Sequence, residues 1–222
     1  MSAAGVRSAG KVVRGTRAMT RRHLLLVLAA AAGGVRAAEP PLLARVRSRL
    51  ADAPVLQGRF EQRKAVKGFR NPLVSRGDFL VAKARGVVWT TREPFPSSLV
   101  ITRDRLLTRQ ADGSVGDQVD ASREPGIRAV NEMLFALMAA DLAALAARFD
   151  VDGALVGADG WRLQLVPRDA GLARWVTRID LDGDRYVRRV RLAEASGDTA
   201  DIALSNQTTA AALSPADAAR FD

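Results

Sequence analysis

Few side chains in this sequence are suited to bond-making chemistry. It has no cysteine, and its single histidine is His23. Beyond residue 37 the chain therefore offers neither imidazole nor thiol. A Ser-His-Asp triad, a cysteine nucleophile, a His/Cys zinc site, histidine-ligated haem and a cysteine-held iron–sulfur cluster are excluded by inventory. Carboxylate pairs, a buried lysine and oxygen-ligated metals remain. Asp180, Asp182 and Asp184 flank Gly183 in a pattern that hard cations favour. The downstream bidentate glutamate of a calcium loop is missing, and Tyr186-Val-Arg-Arg follows, so a hairpin turn is the reading. No carboxylate pair is forced together by spacing. We expect no catalytic residue, no metal and no cofactor, and a protein that is not an enzyme.

Charge narrows the partners. The formal net charge is +10, but residues 1–37 hold seven Lys/Arg and no Asp/Glu, which leaves 27 basic against 24 acidic residues in the rest. A body at +3 has little electrostatic reason to bind nucleic acid. The leader itself reads as a signal peptide. Thr20-Arg21-Arg22-His23 is a positive segment, Leu24–Ala32 an apolar run, and Val35 and Ala37 stand at −3 and −1 of a small-residue cleavage site. The apolar run is too short to span a bilayer, which takes roughly 18 residues or more. The expectation is translation from Met19, export by the general or the twin-arginine route, and a soluble product of residues 38–222 forming one domain.

The elements that must position any site are mostly strands. Leu42, Leu43, Val46 and Leu50 recur at helical spacing over Leu42–Ala51, ahead of Pro54. Period-two alternation then takes over: Leu56, Gly58, Phe60 and Gln62; Phe79, Val81 and Lys83; Val87, Trp89 and Thr91; Leu99 and Ile101. Pro125–Ala147 interrupts the strands with a helical pattern that puts Ile127, Val130, Leu134, Leu137 and Met138 on one face. Asp141 is placed to cap a second short helix, Leu142–Ala147. Hairpins resume, with Asp152-Gly153, Asp159-Gly160, Asp182-Gly183 and Gly197-Asp198 as turn signals. Ser214-Pro215 opens a terminal helix. Arg185, Arg188, Arg189 and Arg191 read as a polar strand face. Asn206-Gln-Thr208 has the form of a glycosylation sequon in a chain of bacterial character.

Within residues 55–110, Gly58-Arg-Phe60-Glu-Gln62, Arg76-Gly77-Asp78-Phe79, Val88-Trp89, Glu93-Pro94 and Leu99-Val100 follow one another in an order and spacing that resemble the outer-membrane lipoprotein carrier family, the LolA-like periplasmic proteins. The resemblance implies a mainly β (α+β) fold, a half-open antiparallel β-barrel whose apolar groove is covered by a few lid helices. It implies that Phe60, Phe79, Val81, Val87, Trp89, Leu99 and Ile101 line that groove, with Leu134 and Met138 facing them from the lid. Parity alone allows another reading, in which the same residues fill a closed core. Met133, Phe135 and Met138 would add a soft contact surface on the lid. Where the family commonly has a basic residue followed by proline as a lid latch, this sequence has Lys83-Ala84. Leu106-Leu107-Thr108 replaces expected aromatics, so the chain resembles a divergent branch. The implied function is a monomeric periplasmic carrier of the acyl chain of a lipoprotein or other lipid in a Gram-negative type of envelope. Its implied partners are an inner-membrane exporter and an outer-membrane acceptor. A sensor or interaction module on the same scaffold is the alternative.

Overall fold

The computed structural model describes residues 41–102, 105–120, 132, 133, 135–137 and 139–222. Eleven antiparallel strands form one sheet. They are β1 (Val55–Ala65), β2 (Leu73–Ala82), β3 (Gly86–Glu93), β4 (Ser97–Thr102), β5 (Arg105–Gln110), β6 (Val115–Asp120), β7 (Phe149–Val156), β8 (Gly160–Pro167), β9 (Val176–Gly183), β10 (Val187–Glu194) and β11 (Thr199–Ala210). Their spatial order is β6-β5-β4-β3-β2-β1-β11-β10-β9-β8-β7, so the sheet is an open ribbon with β6 and β7 at its edges. Strand twist accumulates with every pair, and a sheet of more than about ten strands curls. This one is the half-barrel expected from the sequence.

Four short helices are fully described: α1 (Pro41–Arg49), α2 (Leu142–Arg148), α3 (Ala170–Ala173) and α4 (Pro215–Ala219). Asp141 caps α2 as the sequence suggests, accepting from the Ala144 amide, and Ser214 caps α4 by accepting from the Asp217 amide. Asp169 does the same for α3, a single turn that sequence reading passed over. Residues 132, 133 and 135–137 of the inserted segment are helical, while most of its predicted first half lies outside the described residues. Among the described residues no helix is long and apolar enough to cross a membrane.

One turn signal was misread. Asp152-Gly153 lies in the middle of β7, and the hairpin to β8 closes four residues later, after Val156. Gly153 is there because β8 runs too close for a side chain: a Cβ would lie 2.2 Å from the Arg162 carbonyl oxygen. A glycine in a strand marks such an approach as readily as it marks a turn.

The sheet is apolar on both faces across β2–β4. The larger cluster lies on the concave face under α1, α2 and the inserted helical residues. The smaller one comprises Val55, Leu80, Ala82, Val88, Val100 and Leu107 on the convex face. Phe221, just after α4, closes this second cluster at 2% exposure. Arg105 Nη2 donates to the Phe221 carbonyl at 2.6 Å, and Arg220 Nη2 to Thr90 Oγ1 at 3.1 Å. Beyond β1 the convex face is polar. Arg162 pairs with Asp182, Arg178 with Asp180, and Arg189 with Asp201, at 2.8, 3.1 and 2.7 Å. Arg191 also reaches Asp182. Arg178 and Asp180 both lie on β9; the other pairs join neighbouring strands, and such cross-strand opposite charges stabilise the sheet modestly.

Candidate functional site

The candidate site is the concave apolar face, and two glycines shape it. Phe60 on β1 stands opposite Gly77 on β2, and Phe79 on β2 stands opposite Gly58 on β1. A Cβ at Gly77 would sit 2.9 Å from the Phe60 ring, and one at Gly58 would sit 2.8 Å from the Phe79 ring. Each aromatic therefore lies over the bare backbone of its cross-strand neighbour, an arrangement that lets a ring cover a glycine. Trp89 on β3 completes the group. Its indole stacks on Phe60 with centroids 3.8 Å apart and an interplanar angle of 24°, and faces Phe79 at 6.2 Å. Offset stacking of this kind adds about 0.5–1.5 kcal/mol beyond area burial.

Strand register carries the surface outward from these three rings. Val81 lies across from Val87, Trp89 from Leu99, and Val87 from Ile101. Phe60, Phe79, Val81, Val87 and Ile101 are each at most 3% exposed, whereas Trp89 and Leu99 are partly exposed at the margin. All seven belong to one cluster with Met133, Ala136 and Leu137 of the inserted helix and Leu142 and Leu145 of α2. Met133, Ala136 and Leu137 join the rings in one apolar cluster. Leu134 and Met138 lie outside the described residues. Met133 is buried and Phe135 half-buried.

Sequence reading missed the other half of this surface. Trp161, Leu163 and Leu165 of β8, Ile179 and Leu181 of β9, Val190 of β10 and Leu204 of β11 extend the same cluster. Their signal was present, since Trp161-x-Leu163-x-Leu165 alternates strictly. The Trp161 indole N–H donates to the Asp184 carbonyl at 2.7 Å, so the largest ring of this half has its polar atom satisfied.

Open space lies at the side of the cluster. A cavity of about 680 Å³ is walled by Met133, Phe135 and Ala136, by Ala144, Leu145 and Phe149, and by the β2–β3 turn from Lys83 to Gly86. A second, of about 370 Å³, lies between Arg47–Asp52, Lys83 and the Phe135–Asp141 stretch. Both fall in or near the roughly 300–1,000 Å³ of small-molecule pockets. Lys83 and Phe135 wall both. Lys83 lies one residue past β2, and its ammonium pairs with Asp52 in the α1–β1 connection. The partner found for the expected latch thus sits on the connection after α1 and not on the inserted helix. That hydrogen bond, with the charge behind it, holds the Asp52 carboxyl below the usual carboxylate range. Arg148 of α2 pairs with Glu132, and both line the larger cavity.

The acidic turn is structural. Asp180 accepts from Gln164 Nε2 at 3.1 Å and Asp184 from the Tyr186 amide at 3.0 Å, and Asp182 is held by Arg162 and Arg191. Burial works against ionisation of Asp182, but the hydrogen bond from Arg162 and the charge of Arg191 outweigh it, and its carboxyl lies below the ordinary range. These oxygens already have cations for partners. Arg188 and Arg189 are likewise paired, with Asp184 and Asp201.

A family model for the outer membrane lipoprotein carrier protein LolA matches residues 51–218. The chain belongs to the LolA family. The matched span takes in the whole sheet, from β1 through β11, and leaves out α1 with its cluster residues Leu43 and Val46. No curated protein matches. Solved structures that resemble it include a LolA superfamily protein from Nitrosomonas europaea, 11% identical with a TM-score of 0.44, covering 78% of this chain and 93% of that one. A putative outer membrane lipoprotein-sorting protein domain from Vibrio parahaemolyticus is 10% identical, TM-score 0.43, covering 79% and 94%. The Pseudomonas aeruginosa MucA/MucB complex contributes a chain 18% identical, TM-score 0.42, covering 78% and 59%.

Proposed function

We propose that this LolA-family protein is a non-enzymatic periplasmic carrier. It shields the acyl chains of a lipoprotein or other lipid in transit between the inner and outer membranes. It is exported as the leader predicts, cleaved after Ala37, and works as a monomer between an inner-membrane exporter and an outer-membrane acceptor. The observation that carries this reading is the continuity of the concave apolar cluster with the cavity beside Lys83 and Phe135. An acyl chain in water costs about 0.8 kcal/mol per exposed CH₂, so an aqueous crossing requires a sheltered apolar surface. Phe60, Phe79, Val81, Val87, Trp89, Leu99 and Ile101 provide it. Because Met133 and Ala136 belong to the cluster and also wall the cavity, cargo enters from the cavity and lifts Met133 and Phe135 away. Methionine adapts well to such exchange, being unbranched and polarizable. Lys83, held by Asp52, stands at the mouth and orients the polar end of the cargo.

Native mass spectrometry of the exported protein, purified without detergent and then titrated with an acylated peptide and a free fatty acid, tests this directly. Co-purified lipid or saturable one-to-one binding is the expected result. Failure to bind any acyl compound overturns the reading.

A further inference from the structure

The exposed aromatic side chains of this protein gather on connected turns at one end of the strands. Phe69 in the β1–β2 turn is 70% exposed, Leu73 at the start of β2 59%, Phe95 in the β3–β4 turn 81%, and Trp175 just before β9 59%. Register puts all four at the same strand ends. Ala65 of β1 faces Thr199 of β11, Arg76 of β2 faces Glu93 of β3, and Glu194 of β10 faces Val176 of β9. Hydrogen bonds tie the turns together. The Lys67 amide donates to Asp198 Oδ1 at 3.0 Å, the Ala195 amide to the Trp175 carbonyl at 3.1 Å, and Arg76 reaches both Glu61 and Glu93, at 2.9 and 3.5 Å.

A single exposed apolar residue is ordinary on a protein surface. Three of the eleven aromatic residues of the chain standing clear of the fold on neighbouring turns is a pattern that asks for a partner. Exposed cations are interleaved with them: Lys67 and Arg70 beside Phe69 and Arg174 beside Trp175, while Arg92, near Phe95, is paired with Asp78. The nearby carboxylates of Glu61 and Glu93 are engaged by Arg76.

We propose that this rim docks on an anionic lipid bilayer, its rings entering the headgroup layer and its cations meeting lipid phosphates. Tryptophan and other aromatic rings settle at that depth, and lysine or arginine beside them adds attraction to anionic lipid. Side chains on separate turn tips suit insertion between headgroups better than burial against a flat protein face. The proposal goes beyond the carrier reading and does not depend on it, since it concerns empty vesicles and not cargo.

The test uses the mature chain with large unilamellar vesicles, one set of phosphatidylethanolamine and phosphatidylglycerol, the other of phosphatidylcholine alone. Flotation is expected to show at least tenfold stronger partitioning to the phosphatidylglycerol vesicles. F69S/F95S and K67E/R70E, all at exposed positions, are each expected to lower that partitioning at least tenfold with an unchanged circular-dichroism melting curve. Brominated lipid is expected to quench tryptophan emission of the wild type and to lose most of that effect in W175F. No partitioning to phosphatidylglycerol vesicles, as for a rim that serves a protein partner, overturns the proposal. So does partitioning that both double variants retain, or quenching undiminished in W175F.

Discussion

Trp89→Glu and Phe79→Glu, made side by side, separate a groove from a closed core. Both rings belong to the same stack, but Phe79 is 1% exposed while Trp89 keeps an edge in solvent. Removing either ring forfeits about 3–5 kcal/mol of burial and packing. The added carboxylate then decides the outcome. At Phe79 it has no water and no cation, and an unpaired buried charge costs several kcal/mol more. The total is comparable to the roughly 5–15 kcal/mol by which domains are stable. At Trp89 the carboxylate reaches solvent, so the loss stays close to that of truncation alone.

Phe79→Glu is therefore expected to be unfolded, and Trp89→Glu folded but less stable in urea. Because Trp89 borders the surface that acyl cargo would cover, Trp89→Glu is also expected to weaken acyl binding at least tenfold, equivalent to about 1.4 kcal/mol. Circular dichroism with urea titration reads the first outcome and native mass spectrometry with an acylated ligand the second. If both variants unfold alike, Trp89 belongs to a closed core. If Trp89→Glu folds and binds acyl ligand as well as the wild type does, the concave surface is not the cargo site.

Two further outcomes follow from the same geometry. Gly77→Ala would place its methyl carbon 1.9 Å from the Thr90 carbonyl oxygen, so β2 and β3 must part, and a loss of about 1–3 kcal/mol or more is expected; an unchanged urea midpoint would contradict the packing described. Asp182, Asp184 and Asp201 carry depressed carboxyl pKa values. The stability they contribute is fully present above the unfolded value of about 3.9 and is lost as pH falls through the folded values. Thermal melts are thus expected to be flat from neutral pH to about pH 5 and to drop below about pH 4, with a shallower drop in D182N/D201N; an equal slope in that variant refutes the assignment.

The first half of the sheet was legible in the sequence because its strands alternate cleanly and its motif glycines sit opposite aromatics. Gly58-x-Phe60 and Gly77-x-Phe79 are one device used twice: in antiparallel register each glycine faces the other strand's ring. The second half alternates as plainly in Trp161-x-Leu163-x-Leu165, yet without a motif nothing in one strand tells which face its apolar set joins. That choice belongs to pairing partners far away in sequence, such as β1 with β11. The convex core was invisible for a related reason. Leu80, Val88 and Val100 make β2, β3 and β4 read as continuous apolar runs, which is how strands buried on both sides read. The docking of Phe221, with Leu213 beside it, shows what covers them. The cavity was harder still, because it is a space left between elements. Its walls come from the β2–β3 turn, the inserted helix and α2, three segments whose patterns are each fully explained by their own packing. Lys83 shows the same limit in one residue. Parity aims it inward with Phe79 and Val81, but β2 ends at Ala82, and the turn, tied by the Lys83 amide to the Pro54 carbonyl at 3.0 Å, carries the ammonium to Asp52 at the cavity mouth. A sequence pattern fixes orientation only as long as the strand that carries it continues.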